Sequence, residues 1–315
     1  MVVSSSTKNL KHVIKKYKEL AEKIALVATP LVDLSNLPHN PNVKILAKDE
    51  SQNLTGSTKV RPALFNLVNL LVNQRATNPV DSSSGNYAIS LVYLAKKLGF
   101  CNTTIFIPES FALYFLKYLR DNGIDDDWLK VFYKGIRNSD EARKRALEYS
   151  ERIGAVYLDQ YNNPCNSLSH YHFTAGEIVS DVERLQLKPT HFISSIGSGG
   201  TLTGIGTRLK ERYGAKVIGI QLSEKTIQGA TRDIRDKTNL PRAYSDLEAN
   251  VDFLMDINTG EVFRFEERLR NSNIAGIDWN SICGSSFVNL YAAVRLSEEI
   301  PSGVIVTIIP ALKRG

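Results

Sequence analysis

The chain has few cysteines, no long apolar run and no low-complexity linker. Its three cysteines, Cys101, Cys165 and Cys283, lie far apart. A disulfide framework or a zinc site requires closer spacing, so neither is expected and no metal is assigned. No apolar stretch reaches the ~20 residues of a membrane-spanning helix. Internal repeats are also lacking. The first 25 residues contain no arginine, and Glu19 and Glu22 interrupt their lysines, which argues against a transit peptide. What remains is a globular chain suited to a reducing cytoplasm.

The net charge of +6 comes largely from Lys8, Lys11, Lys15, Lys16, Lys18 and Lys23. Such a run can bind nucleic acid or an acidic surface. However, Leu10, Val13, Ile14, Tyr17, Leu20, Ala21 and Ile24 recur at helical spacing. The run therefore reads as an amphipathic helix with a solvated lysine face, and neither a nucleic-acid nor a membrane partner is expected. At 315 residues and 43% hydrophobic, the chain can bury one large core or two medium ones.

Short apolar strands alternate with helices along the rest. Strands are expected at 43–48, 103–108, 129–133, 155–158, 190–196, 216–221, 253–255 and 304–310. Helices are expected after Lys59, after Gly85, and at 110–122, 139–154, 205–213 and 261–271, with one more after Cys283. This alternation implies α/β architecture, with parallel sheets covered by helices on both faces.

Four stretches carry chemistry. Asn53-Leu54-Thr55-Gly56-Ser57-Thr58-Lys59-Val60-Arg61-Pro62-Ala63 puts a lysine at the mouth of an apolar helix. Helix N-termini carry partial positive charge and favour acids, so a lysine has little structural reason to stand there. Ser82-Ser83-Ser84-Gly85-Asn86-Tyr87 opens directly into a helix, a natural seat for a carboxylate or a plain N-cap run. Gly197-Ser198-Gly199-Gly200-Thr201 joins a strand to a helix and presents several N–H groups to one point, as a phosphate cradle does. It is not a Walker A loop, and Leu202 stands where the third glycine of a dinucleotide fingerprint belongs. Ser281-Ile282-Cys283-Gly284-Ser285-Ser286 opens a further helix. His170 and His172 are not spaced as metal ligands on a helix face.

Taken in order, these motifs resemble the cysteine synthase and cystathionine β-synthase branch of the fold type II pyridoxal-phosphate enzymes. The resemblance runs from about Thr29 to Pro310. It includes Asp159-Gln160-Tyr161-Asn162-Asn163-Pro164 with Asn166, His170 and Tyr171, and also Ile227-Gln228-Gly229. It implies two open-sheet αβα domains, tryptophan synthase β-like, with pyridoxal 5'-phosphate in the cleft between them. Residues 1–53 and 162–315 would form the larger, phosphate-binding domain, and 54–161 the smaller, carboxylate-binding one. Lys59 would form the internal aldimine. Gly197, Ser198, Gly199, Gly200 and Thr201 would hold the cofactor phosphate, Asn86 the ring hydroxyl and Ser285 the pyridine nitrogen. Ser83, Ser84, Gly85, Asn86, Tyr87 and Gln160 would bind the amino-acid carboxylate. A homodimer in the cytoplasm, acting on small amino-acid substrates in amino-acid biosynthesis, is implied as well.

The reaction so implied is β-replacement on O-acetylserine, O-phosphoserine or a similar derivative, through an α-aminoacrylate. A lysine amine desolvated near positive phosphate-binding elements has a lowered pKa and favours imine formation. A serine at the ring nitrogen disfavours a long-lived quinonoid and favours quick loss of the β-group. Alternatives are a β-eliminating lyase or dehydratase giving pyruvate and ammonia, an amine nucleophile giving a diaminopropionate-type product, and a binding protein that kept the fold. The chain departs from the family pattern at Val60, at Tyr87 (usually Thr), at Phe287 (usually Gly) and in the close Pro310-Ala311-Leu312-Lys313-Arg314-Gly315. Tyr87 and Phe287 would reshape the pocket, and Arg232 or Arg235 would recognise an anionic leaving group.

Overall fold

The computed structural model describes residues 7–74, 77–83, 85–124, 127–223, 227, 250–272 and 276–313. Compactness divides the chain into two units, Met1–Val27 with Lys59–Asn166 and Ala28–Thr58 with Ser167–Arg314.

The first unit is built on a parallel sheet of four short strands, β3 (Pro79–Ser82), β4 (Thr103–Phe106), β5 (Leu129–Phe132) and β6 (Val156–Tyr157), in the order β5-β4-β3-β6. Its helices are α1 (Thr7–Lys23), α2 (Val60–Asn69), α3 (Asn86–Leu98), α4 (Glu109–Asp121) and α5 (Ser139–Ile153). α1 shows the amphipathic pattern read from its spacing. Val13 and Tyr17 are buried, the Tyr17 ring lies 5.8 Å from Phe65 of α2, and Lys11, Lys15, Lys18 and Lys23 are exposed. This contact places α1 with the first unit. The resemblance puts residues 1–53 with the larger domain, whereas compactness groups Met1–Val27 with Lys59–Asn166.

The second unit is a six-stranded sheet with the order β1-β2-β10-β7-β8-β9. The strands are β1 (Leu31–Asp33), β2 (Val43–Asp49), β7 (His191–Ser195), β8 (Lys216–Leu222), β9 (Phe253–Ile257) and β10 (Gly303–Ile309). Only β1 runs antiparallel to its neighbour. A short helix α6 (Cys165–Ser169) and a π turn (His170–Thr174) lead into α7 (Ala175–Arg184). Then come α8 (Gly200–Tyr213), α9 (Thr259–Arg270) and α10 (Gly284–Glu299).

Strand side chains point alternately to the two faces, and the core divides accordingly. Ile45, Ile193, Ile218, Ile220 and Ile305 join Trp279, Phe287 and Leu290 on the α9–α10 face. Leu46, Phe192, Val217 and Val306 join Ile178, Val182, Leu202 and Ile205 on the α7–α8 face. A sheet covered on both sides needs apolar residues at consecutive positions, which explains Val304-Ile305-Val306-Thr307-Ile308-Ile309. The α/β architecture with two open sheets is the one expected. One boundary differs by more than a helical turn: α8 begins at Gly200 rather than at residue 205, so the glycine-rich run supplies the helix's first turn.

Candidate active site

In the first unit β3 has β4 and β5 on one side and β6 on the other. The chain runs outward from β3 through β4 to β5 and then returns across the sheet to β6, so the strand order reverses at β3. In open α/β sheets ligands bind beyond the carboxyl ends of strands at such a switch point. Ser82 ends β3, and Ser83, Gly85, Asn86 and Tyr87 follow at this position; Ser84 lies outside the described residues. Gly85 heads α3 with no side-chain cap. Gln160, beyond the end of β6, is buried. Its Nε2 donates to the Ser82 carbonyl across 2.9 Å, and its own carbonyl accepts from Asn166 Nδ2 at 2.8 Å.

Tyr87 is 2% exposed, and its hydroxyl accepts a 2.8 Å hydrogen bond from Asn66 Nδ2 of α2. The ring is thus turned into the interior of this unit. Asp81 on β3 is fully buried. Burial pushes its carboxyl up to about 8, against the Ser82 N–H that it accepts. The Tyr87 hydroxyl is raised by burial and by the neighbouring Asp81.

Lys59 is the N-cap residue of α2 and has helical backbone angles. Desolvation lowers its amine from 10.5 to about 8.

In the second unit β7 has β8 on one side and β10 on the other, so its carboxyl end is also a switch point. The glycine-rich turn begins there. Asn289, fully buried on α10, accepts from Ser195 N at 2.7 Å and donates from Nδ2 to Ile308 O at 2.9 Å, tying the end of β7 to β10. Gly199 has φ +85°, the left-handed region that favours glycine, and α8 starts after it with no side-chain cap. Thr201 Oγ1 lies 3.3 Å from Nε2 of His170, whose Nδ1 lies 2.9 Å from Thr174 Oγ1. Gly204 allows α8 to approach this turn closely: a Cβ there would stand 2.3 Å from Ser167 O and 2.7 Å from His170 Cβ.

Ser285 is buried in the first turn of α10, with Cys283 Sγ 3.1 Å from its hydroxyl. Phe287 is fully buried beside Trp279 and under the Arg270 guanidinium, 4.8 Å from the ring centroid. It therefore belongs to the core of this unit. Residues 310–313 form a strap between two loops. On one side Thr58 N donates to Pro310 O and Leu312 N to Gly56 O, at 2.8 and 2.9 Å. On the other Cys283 N donates to Ala311 O and Lys313 N to Ser281 O, at 3.0 and 2.6 Å. The strap thus holds the residues just before Lys59 and those just before Ser285, although its side chains depart from the family pattern.

Arg232, Arg235, Gln228 and Gly229 lie outside the described residues. Asn66, Asp81 and Asn289 were not singled out from sequence. Asn289 stands one helical turn after Ser285, and His170 and Thr174 share the same four-residue separation; that spacing is the signal that could have drawn attention to them.

The residues present fit pyridoxal phosphate. The uncapped head of α8 with the Thr201 hydroxyl suits a phosphate, the desolvated Lys59 amine suits an aldehyde, and the Ser285 hydroxyl suits a pyridine nitrogen. Across residues 24–311 the chain matches the family model described as pyridoxal-phosphate dependent enzyme. Cysteine synthase B of Salmonella typhimurium is 30% identical over 289 residues, 89% of each chain. N-(2-amino-2-carboxyethyl)-L-glutamate synthase of Ralstonia nicotianae is 31% identical over 208 residues, 64% of this chain and 60% of that one. Among solved structures, the O-acetylserine dependent cystathionine beta-synthase of Helicobacter pylori superposes with a TM-score of 0.76 at 26% identity, covering 91% of this chain and 94% of that one. From switch-point loops to overall sequence, these findings agree that the chain belongs to the pyridoxal-phosphate dependent enzyme family.

Proposed function

We propose that the protein exchanges the β-substituent of a serine or cysteine derivative for a nucleophile, in the manner of a cysteine synthase. The observation that carries this reading is the desolvated amine of Lys59, brought down to about 8 at the head of α2. Similarity over 89% of the chain to a cysteine synthase supports the reaction class. When bound, pyridoxal phosphate supplies the electron sink for cleavage at the substrate Cα.

The chain's own residues divide the remaining work. Lys59 would hold the cofactor aldehyde through its amine and would take up the substrate Cα proton; both tasks need a neutral amine near neutral pH. The first-turn N–H groups of α3, with Ser83, Ser84, Gly85, Asn86, Tyr87 and Gln160, hold the substrate carboxylate. Asn86 also meets the ring hydroxyl. Gly197, Ser198, Gly199, Gly200 and Thr201 hold the phosphate. Ser285 would offer the ring nitrogen a neutral hydroxyl in place of a carboxylate, a partner that suits quick loss of the β-group. The unit containing Lys59–Asn166 is thus the carboxylate-binding one and the other the phosphate-binding one. We read the protein further as a cytoplasmic homodimer acting on small amino acids, with no nucleic-acid or membrane partner. The unpaired thiols of Cys101, Cys165 and Cys283 suit a reducing compartment.

A second reading, with an amine as nucleophile, is favoured by the 31% identity to N-(2-amino-2-carboxyethyl)-L-glutamate synthase. One experiment addresses both. The loaded protein is given O-acetylserine or O-phosphoserine and the cofactor absorbance is followed. Sulfide or an amino-acid amine is then added and the products are identified by mass spectrometry. A new β-substituted amino acid supports replacement, and its β-atom names the nucleophile. Pyruvate and ammonia alone, whatever the nucleophile, would replace this reading with β-elimination. Arg232→Ala and Arg235→Ala, compared on the two donors, test for an anionic leaving group. Equal loss on both donors would dismiss it.

A further inference from the structure

We infer that His170 is a positioning residue that turns the Thr201 hydroxyl proton toward an anion at the head of α8, by holding its own proton on Nε2. The inference rests on the reading of Gly197–Thr201 as the phosphate seat and adds a residue to that seat.

The argument is one of donor counting. A phosphate dianion offers only acceptors, and a threonine hydroxyl has a single proton. Were Thr201 to donate to His170, its lone pairs would face the anion. The 3.3 Å contact between Thr201 Oγ1 and His170 Nε2 must therefore run the other way, with Nε2–H donating. A neutral imidazole carries one N–H, so Nδ1 is then an acceptor, and the group opposite it must donate. Thr174 Oγ1, 2.9 Å from Nδ1, is a hydroxyl able to do so.

Thr174, His170 and Thr201 thus form a one-way series of donors ending at the anion. The neighbour on one ring nitrogen decides which proton the other presents. His170 and Thr174 are both fully buried, which keeps bulk water from substituting for either partner. The close approach at Gly204, where a Cβ would meet Ser167 O and His170 Cβ, holds α8 against the turn that carries the histidine. A buried histidine with a hydroxyl on each nitrogen is more than a core filler, because only one of its tautomers is compatible with an anion at Thr201.

The test uses the full-length protein loaded with pyridoxal phosphate. Ring ¹⁵N shifts of labelled histidine are expected to show His170 as the neutral Nε2–H tautomer. The Nδ1–H tautomer or an imidazolium would overturn the inference. Affinity for pyridoxal phosphate gives a second readout. His170→Gln keeps an amide donor near the Nε2 position and should stay within about twofold of wild type. His170→Asn places its amide on the Nδ1 side and should weaken binding about tenfold, the size expected of one charge-assisted hydrogen bond. Affinity for pyridoxal, which lacks the phosphate, should be unchanged in both variants. Equal pyridoxal-phosphate affinity in His170→Asn and wild type would overturn the inference. Thr201→Val separates the two layers. If it leaves pyridoxal-phosphate affinity intact, the phosphate seat itself has been misplaced. If it weakens binding while His170→Asn does not, only the role of His170 fails.

Discussion

Asn66 Nδ2 donates to the Tyr87 hydroxyl across 2.8 Å, with both side chains buried. One polar bond therefore ties the helix that Lys59 begins to the helix that Gly85 begins. Tyr87→Phe keeps the ring and removes the acceptor, leaving a buried amide donor unmatched. A loss of about 1–3 kcal/mol is expected, read as a lower midpoint in thermal denaturation. An unchanged midpoint would show that the bond contributes nothing to this unit.

Asp81 makes stability depend on pH in an unusual direction. In the folded chain its carboxyl titrates at about 8, against an ordinary value of 3.8, because burial disfavours the charge. Between those values the native state binds more protons than the unfolded state, so this group's contribution falls as pH climbs from about 4 to about 8. Asp81→Asn should flatten that slope. Denaturant unfolding at a series of pH values reads it, and an identical slope in the variant would assign the dependence to other groups.

Lys59 should reveal its desolvation through the rate of cofactor capture. Attack on an aldehyde needs the neutral amine. The apoprotein's rate of loading should rise about tenfold per pH unit and level off near 8, where burial has placed the amine. An ordinary lysine would go on rising toward 10.5. Stopped-flow absorbance gives the profile, and Lys59→Ala should acquire no near-visible band at any pH.

Gly204 is a packing constraint on α8 where it meets the turn that carries His170. A methyl group at this position would sit 2.3 Å from a backbone oxygen, that of Ser167, and backbone yields less readily than a flexible side chain. Gly204→Ala should cost about 1–3 kcal/mol through displaced helix packing and weaken pyridoxal-phosphate binding together with stability. Wild-type behaviour in both would show that α8 can slide without disturbing its first turn.

Most of the architecture could be read from the chain. Val304–Ile309 and Phe192–Ile193 are apolar at consecutive positions because their sheet is covered on both faces, and that pattern is visible in one dimension. The turns at Ser82–Asn86 and Gly197–Thr201 were legible because small residues before a helix leave its N–H groups uncapped. The start of α8 was not, since glycine weakens the helical pattern. Nor were the partners of Tyr87. A tyrosine beside a carboxylate seat suggests a pocket residue, and only the three-dimensional neighbourhood of Asn66 and Asp81 shows the ring turned inward. Likewise Phe287 reads as a steric change near Ser285 but packs on Trp279. The packing of α1 was not legible either, because its partner Phe65 stands in a different stretch of the chain.

The strap of residues 310–313 bears on the order in which the protein folds. Gly56 and Thr58 take their backbone partners, Leu312 and Pro310, from a stretch far along the chain. Contacts between such distant segments are the slow ones to close. The backbone leading to Lys59 therefore reaches its final path late in folding, once residues 310–313 have docked against it.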